Sequence, residues 1–439
     1  STLPTSNNKL FYPSAGFSFI PSEFTKNAIP FLSFIKLYGS WGKKPLSLDI
    51  YQTNYAYSVN QNQWSGNFLM STPDAVPDPN LKGSLITSYE GGIELRFLKN
   101  RLGLVVNYYN ENAKDQPVQI AVDGVSGVTS KVINAATVER QGIEVTLNGN
   151  VYKSRDFNWN ITKTFAWLIK NPVTKIVEGQ TRIQPTNWAG AFGSRYATGY
   201  QVLNKDWGQL IGGGFVTGYD ADGNPITDHS KRPLVDPSTG LYVTGNPDYN
   251  WGNMVPKITG GLQNLFTYKN ISLNISLDYQ FGGKFFSLTE SWGMYSGLLD
   301  YTASTNDRGK NVRDPLSEGG GVLVNGVSSV DGKTPVQKYV DGFTYFHQFY
   351  GAKVAEPFVH DLSFVKLREV SLGYALPVKK WNVTGKWMQA ANFSIIARNL
   401  WLIYSASKNF DPSEISGVYG EDGQLPSVRS IGVNLSLTF

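Results

Sequence analysis

Apolar and polar residues alternate with a period of two along much of the chain. Ile271, Leu273, Ile275, Leu277, Tyr279 and Phe281 are interleaved with Ser272, Asn274, Ser276, Asp278 and Gln280. Val433, Leu435, Leu437 and Phe439 are interleaved with Asn434, Ser436 and Thr438. Shorter sets run through Ile93, Leu95 and Phe97 and through Leu102, Leu104, Val106 and Tyr108. This period gives a strand one apolar and one polar face. Helical periodicity of comparable strength is absent. The pattern predicts eleven strands, over roughly 10–20, 33–42, 86–97, 101–111, 138–151, 155–168, 256–267, 271–282, 361–376, 391–403 and 427–439.

Several of these strands reach about 10–13 residues, longer than the 5–6 usual in soluble sheets and close to the 9–11 that cross a bilayer. Their connections alternate. Short turns at Leu98-Lys99-Asn100, Lys153 to Asp156 and Tyr268-Lys269-Asn270, with modest ones at 21–32 and 377–390, are separated by long segments at 43–85, 112–137, 169–255, 283–360 and 404–426. Bacterial outer-membrane barrels alternate short periplasmic turns with long extracellular loops in this way. The last strand of such a barrel runs toward the periplasm, and counting back gives the first strand here the same direction. In a 22-stranded barrel these would be strands 12–22. Eleven strands leave two open edges that a bilayer cannot satisfy, so closure is expected from a part of the protein outside this sequence. The fold class predicted is all-β, a transmembrane antiparallel barrel with long extracellular loops, occupying residues 1–439. Soluble sheets also alternate, but the strand lengths, the lack of a blade-like repeat and loops of roughly 75–85 residues argue against a soluble multi-sheet protein.

Composition agrees. Of 439 residues, 17% are charged, against about 25% in a typical soluble domain. There are 45 Gly, 24 Tyr, 24 Phe and 11 Trp, a balance that suits strands and turns. The net charge is +5 without a basic block, so nothing points to nucleic acid. The absence of cysteine excludes thiolate catalysis, thiolate metal sites and disulfides. No apolar run is long enough for a transmembrane helix. Ser1 to Leu10 shows no basic or apolar region of a signal peptide, which leaves a cleaved leader or an earlier start open.

Chemistry-bearing motifs are few. The spacing Gly326…Gly332-Lys333-Thr334 has one residue too many for a phosphate-binding loop. Asp220-Ala221-Asp222-Gly223-Asn224 is followed by Pro225 and reads as a tight turn rather than a Ca²⁺ loop. His229, His347 and His360 lack metal-ligand spacing. No nucleophile elbow or acid pair stands out, so no catalytic residue, metal or cofactor is assigned and an enzyme is not expected. The cluster Phe343, Tyr345, Phe346, His347, Phe349, Tyr350 falls in the longest loop region. Aromatic faces stack on sugar rings or pack on a partner. Tyr345, Phe346, His347 and Tyr350, with Trp188, Phe192, Tyr196 and Trp207, are candidate ligand contacts; the alternative is a loop core of their own, or a wall against a lid. Glu94, Arg96, Asn274, Asp278 and Gln280 are expected to line the lumen. The apolar phase shifts between Leu367 and Val370, beside Lys366 and Arg368, which predicts a bulge or a charged pair turned inward. Tyr108, Tyr109, Trp159, Tyr268, Trp401 and Tyr404 are expected in interfacial girdles.

Several segments carry a family resemblance. They are Phe11-Tyr12-Pro13-Ser14-Ala15-Gly16, Phe34-Ile35-Lys36-Leu37-Tyr38-Gly39-Ser40-Trp41-Gly42, Asp78-Pro79-Asn80-Leu81-Lys82 and Ser88-Tyr89-Glu90-Gly91-Gly92-Ile93-Glu94. Asn107-Tyr108-Tyr109-Asn110, Asn134-Ala135, Gln141-Gly142-Ile143-Glu144-Val145 and Gly245-Asn246-Pro247 with Gly260-Gly261-Leu262 and Tyr268-Lys269-Asn270 follow. Phe364-Val365-Lys366-Leu367-Arg368-Glu369-Val370-Ser371-Leu372-Gly373-Tyr374-Ala375-Leu376-Pro377, Arg398-Asn399-Leu400 and Phe410-Asp411-Pro412 complete the series. In this order and spacing the chain resembles the C-terminal half of the barrel of SusC/RagA proteins; residues 183–215 and 300–345 depart from the pattern.

The resemblance implies a bacterial outer-membrane protein performing TonB-dependent active import of a large nutrient, an oligosaccharide or a peptide. It implies a SusD-like surface lipoprotein as lid, surrounding outer-membrane lipid, and an N-terminal plug and TonB box outside this sequence. It leaves open a dimer of importer–lid pairs. The terminal Phe439 is similar to the barrel-assembly signal of such proteins. Two rivals stand beside this reading: a passive porin or adhesin barrel, separated by an upstream plug and TonB box, and a soluble extracellular glycan-binding β protein, separated by solubility without detergent.

Overall fold

The computed structural model describes residues 2–4, 8–25, 29, 31–48, 53–184, 196–245, 248–378, 388–415 and 420–439. Eleven strands form one antiparallel meander: β1 (Ser14–Phe19), β2 (Leu32–Leu46), β3 (Ser84–Phe97), β4 (Leu102–Ala121), β5 (Ser130–Lys153), β6 (Phe157–Lys170), β7 (Ile258–Tyr268), β8 (Ile271–Phe281), β9 (Phe364–Leu376), β10 (Ala390–Ser405) and β11 (Ser430–Thr438). Each pairs with its neighbours in sequence. Among the described residues β1 and β11 are the two open edges. Every strand predicted from the alternation is present.

Cross-strand register explains why the alternation exists. Asn148, Thr162, Gln263, Ser276, Glu369 and Arg398 lie opposite one another across β5–β10, forming a polar row. One residue along each strand, or two on β9, the neighbours Leu147, Leu262, Leu277 and Leu367 form an apolar row, broken by Lys163. Apolar rows end in rings on both sides. Phe157 opposes Tyr268, and Trp159 opposes Phe266 with ring centroids 5.5 Å apart. At the other end Tyr108, Ile143, Trp167, Ile258 and Phe281 share a row. Phe157 and Trp167 are ten residues apart on β6, roughly 33 Å along the strand and about 25 Å along the normal at a 40° tilt, the height of a barrel's apolar band.

One girdle assignment changes. Tyr109 lies opposite Glu90 and Gly142 on the polar face, because its neighbour Tyr108 occupies the apolar one. Tyr108, Trp159, Tyr268, Trp401 and Tyr404 are on the apolar face, with Trp401 and Tyr404 opposite Leu367 and Val365.

The segment 112–137 is not a loop. The β4–β5 ladder continues to Ala121 and resumes at Ser130, leaving only 122–129 as a tip. A register shift between Ala113 and Gln116, with Asp115 at φ +56°, inverts the apolar phase midway. Val138 at its edge and Val118 and Ala136 beyond it pack on Val173, Ile176 and Ile183.

The connections 171–257 and 282–363 fold together. Tyr196, Leu210 and Met254 from the first pack with Phe286, Phe349 and Phe358 from the second. Each of these rings, fully buried, contributes about 2–3 kcal/mol. The second connection carries two helices that the strand-dominated pattern did not predict: α1 (Leu288–Tyr295) and α2 (Gly342–Ala352). Ser287 caps α1 by accepting from Glu290 N, and Asp341 caps α2 by accepting from Thr344 N.

Candidate functional site

The phase shift in β9 is a bulge. Leu367 opposes Leu277 and Glu369 opposes Ser276, so Arg368 is the extra residue. The kinked strand turns Lys366 and Arg368 to the same side. Lys366 is 1% exposed. Its ammonium pairs with Asp411 and donates to Ser413 Oγ and Ser427 Oγ at 3.0 Å, with Glu414 at 3.4 Å. The Arg368 guanidinium lies 2.9 Å from Asp278 on β8 and 3.2 Å from Glu414. Burial acts to raise the Asp411 carboxyl, but hydrogen bonds from Lys366, Ser413 and Ser427 outweigh it and hold it below the ordinary value. Glu414 is lowered against burial in the same way, by Ser413 and Arg368. Three carboxylates and two cations thus staple the connection 406–429 to the sheet.

The same connection is tied to α1. The Glu421 carboxylate accepts from Ser287 Oγ at 2.7 Å and Thr289 N at 2.9 Å. Asn409 Nδ2 donates to Glu290, whose other oxygen hydrogen-bonds His360 Nε2. Burial opposes ionisation of Glu290, and the bonds from His360 and Asn409 more than offset it, so the carboxyl sits below its usual value.

Beside α1 and the start of α2 opens a cavity of about 580 Å³. Met294, Tyr295, Phe343 and Phe346 give it an apolar lining, with His347 and Arg313 at its wall. The His347 ring stacks on Phe343 at 3.9 Å and lies 4.4 Å from Tyr295. Arg313 is fixed by donating to Thr302 O at 2.7 Å and Thr302 Oγ at 2.8 Å. Flat rings at an apolar mouth suit the face of a sugar ring or an apolar side chain. A second cavity of about 360 Å³ lies on the polar face of the sheet, bounded by Tyr38, Glu90, Tyr109, Glu111, Arg140 and Glu144.

Of the aromatic residues singled out in the sequence, Phe343, Phe346 and His347 reach the first cavity. Tyr196 stacks on Phe286 at 5.3 Å inside the loop core. Tyr345 packs edge-on to Phe349, and Tyr350 lies 4.8 Å from Tyr295. Trp207 covers the cluster around Val173. Trp188 and Phe192 lie outside the described residues. The lumen residues fall as expected on the polar face: Glu94 pairs with Arg96 at 2.7 Å, Asn274 accepts from Gln263 and Asp278 pairs with Arg368. Residues 220–224 form the turn of a small hairpin, with Asp220 accepting from Asn224 N. His229 stands apart from the other histidines, 3.3 Å from Glu356. Met294, Tyr295 and Arg313 were not singled out. The capping sequence Ser287-Leu288-Thr289-Glu290 ahead of Trp292 and Tyr295 was the available signal for the first two.

An antiparallel meander with an apolar outer band, a polar inner face, short turns at one end and folded loops at the other is part of an outer-membrane β-barrel. The family model described as TonB dependent receptor-like, beta-barrel matches residues 2–265, and the chain belongs to that family. It is 23% identical to TonB-dependent receptor P3 of Formosa agariphila, covering 100% of this chain and 43% of that protein. It is 21% identical to the TonB-dependent receptor SusC of Bacteroides thetaiotaomicron, over 89% of this chain and 35% of that one. Among solved structures, the RagAB peptide transporter matches with a TM-score of 0.69 at 18% identity, covering 100% of this chain and 44% of its own. The chain therefore spans less than half the length of these relatives. Its place is the bacterial outer membrane.

Proposed function

We propose that the chain is the C-terminal half of the barrel wall, strands 12–22 of 22, of an importer that takes up a large nutrient, an oligosaccharide or a peptide, by TonB-dependent active transport. The observation that carries this is the pairing of a barrel wall of the TonB-dependent receptor-like family with connections folded around one shared core at the loop end. Energy coupling would reside in a plug and TonB box outside this sequence. A SusD-like lipoprotein would cap the loop body. The cavity beside α1 and α2 supports a docking point for an apolar face of the nutrient, with Phe346 and His347 as contacts and Phe343 and Tyr295 added to them. Phe439 would act as the barrel-assembly signal.

Uptake by cells carrying the full-length protein tests this, using fluorescent oligosaccharides and peptides. Loss of uptake on deleting the gene and on collapsing the proton gradient is the expected result. Uptake that persists without the gradient would make the protein a passive porin.

A further inference from the structure

The outer face near the loop end holds a notch that none of the described residues fills. Gly39 on β2 lies directly opposite Gly91 on β3, and Phe17 and Tyr108 flank this pair on β1 and β4. One step closer to the loops, Trp41 opposes Tyr89. Gly39 and these four rings border a groove of about 460 Å³, and Gly91 lies beside Gly39 in register. Phe17, Tyr89 and Tyr108 remain 66%, 57% and 42% exposed.

Glycine inside a strand gives up packing and marks a place where another group comes close. At two other glycines of this sheet the chain itself supplies that group. A Cβ on Gly92 would meet the Tyr38 ring at 2.5 Å, and one on Gly142 would meet the Tyr109 hydroxyl at 2.4 Å. On Gly39 it would meet the edge of Phe17 at 2.6 Å. On Gly91 it would meet only Tyr38 O at 3.9 Å. Among the described residues nothing else approaches Gly91, which lies on a face turned to hydrocarbon.

Two residues above Trp41 on the same face stands Lys43, opposite Thr87, with Asn112 beyond. This is headgroup height, just past the aromatic belt. We propose that the groove is a seat for one acyl chain of an outer-leaflet lipid, lying on Gly39 and Gly91 between the rings, with its phosphorylated headgroup meeting Lys43. Hydrocarbon on an apolar floor and a cation at phosphate level are the two chemistries such a lipid requires.

The test uses the full-length protein in nanodiscs of phosphatidylglycerol and phosphatidylcholine, followed by graded detergent washing and native mass spectrometry. Wild type is expected to retain phosphatidylglycerol after annular lipid is lost. Gly91→Phe, which fills the notch, should retain several-fold less, and Gly91→Ala, which has room, should show an intermediate loss. Lys43→Ala should remove the preference for the anionic lipid. Equal retention in wild type and Gly91→Phe, with the heat-modifiable folded band intact, overturns the proposal. So does a change from dimer to monomer in Gly91→Phe with lipid retention unchanged, which would assign the groove to a second copy of the chain.

Discussion

Lys366 on β9 and Asp411 in the connection to β11 are 45 residues apart in sequence and form an ion pair whose lysine is 1% exposed. Both belong to segments that carry the family resemblance, and the pair shows what joins them. Removing one member of a buried pair strands the other's charge, at about 3–5 kcal/mol, whereas replacing both with apolar groups is close to neutral. Lys366→Met is thus expected to lower the unfolding free energy of the full-length protein by about 3 kcal/mol, with most of the loss recovered in Lys366→Met/Asp411→Leu. Urea unfolding in detergent, read as a double-mutant cycle, checks this. Additive losses would mean that the two residues do not act together.

Acid should release the same staple. Asp411 and Glu414 are held below the ordinary carboxylate value in the folded protein. A group with a depressed folded pKa contributes stability that is present above its unfolded value and lost as pH falls through the folded one. The connection 406–429 should resist proteolysis at neutral pH and become open to pepsin once the pH falls below the ordinary carboxylate range. In Lys366→Met it should already be open to a neutral protease at pH 7. Equal cleavage of wild type at both pH values would contradict the staple.

Adjacent glycines on β7 should behave differently. A Cβ on Gly260 would lie 2.3 Å from Thr164 O and 2.4 Å from the Tyr279 hydroxyl, and one on Gly261 no closer than 3.3 Å to Leu277 O. Gly260→Ala is expected to cost about 1–3 kcal/mol and Gly261→Ala less than about 0.5 kcal/mol. The thermal loss of heat-modifiable mobility on gels ranks them. The reverse order would mean that β7 is out of register with β6 and β8.

The loop cavity separates ligand contact from packing. Phe343 is 72% exposed, whereas Phe349 on the same helix is 3% exposed. Phe343→Ala and His347→Ala should leave the unfolding midpoint in place and weaken nutrient binding roughly tenfold, the loss of about 1.4 kcal/mol expected for a ring contact. Phe349→Ala should instead cost about 3–5 kcal/mol of stability. Calorimetric titration beside thermal melts distinguishes the two. Unchanged affinity in both surface variants would remove the cavity from the uptake route.

The strands were legible because a sheet between water and lipid must alternate, and each of the eleven carries that signature. The β4–β5 ladder was cut short because the bulge at Ala113–Gln116 inverts the phase without ending the pairing. The bulge at Arg368 was legible from the same kind of shift, but its partners Asp411 and Glu414 were not, since nothing local ties residues so far apart. The helices were missed for another reason. Phe346, Phe349 and Ala352 follow helical spacing on the inner face of α2, yet the run is short and aromatic throughout. Local sequence could not show that Tyr196 and Phe349 face a core while His347 faces a cavity, because that division depends on two connections folding together.

The most direct test of the half-barrel is the intact mass of the native polypeptide extracted from outer membranes, compared with the 48.5 kDa of this chain. A single polypeptide of more than twice that mass is expected, with the further strands needed to pair β1 and β11. A folded 48.5 kDa chain that is monomeric in detergent would contradict it, because both edges would then have to close on each other.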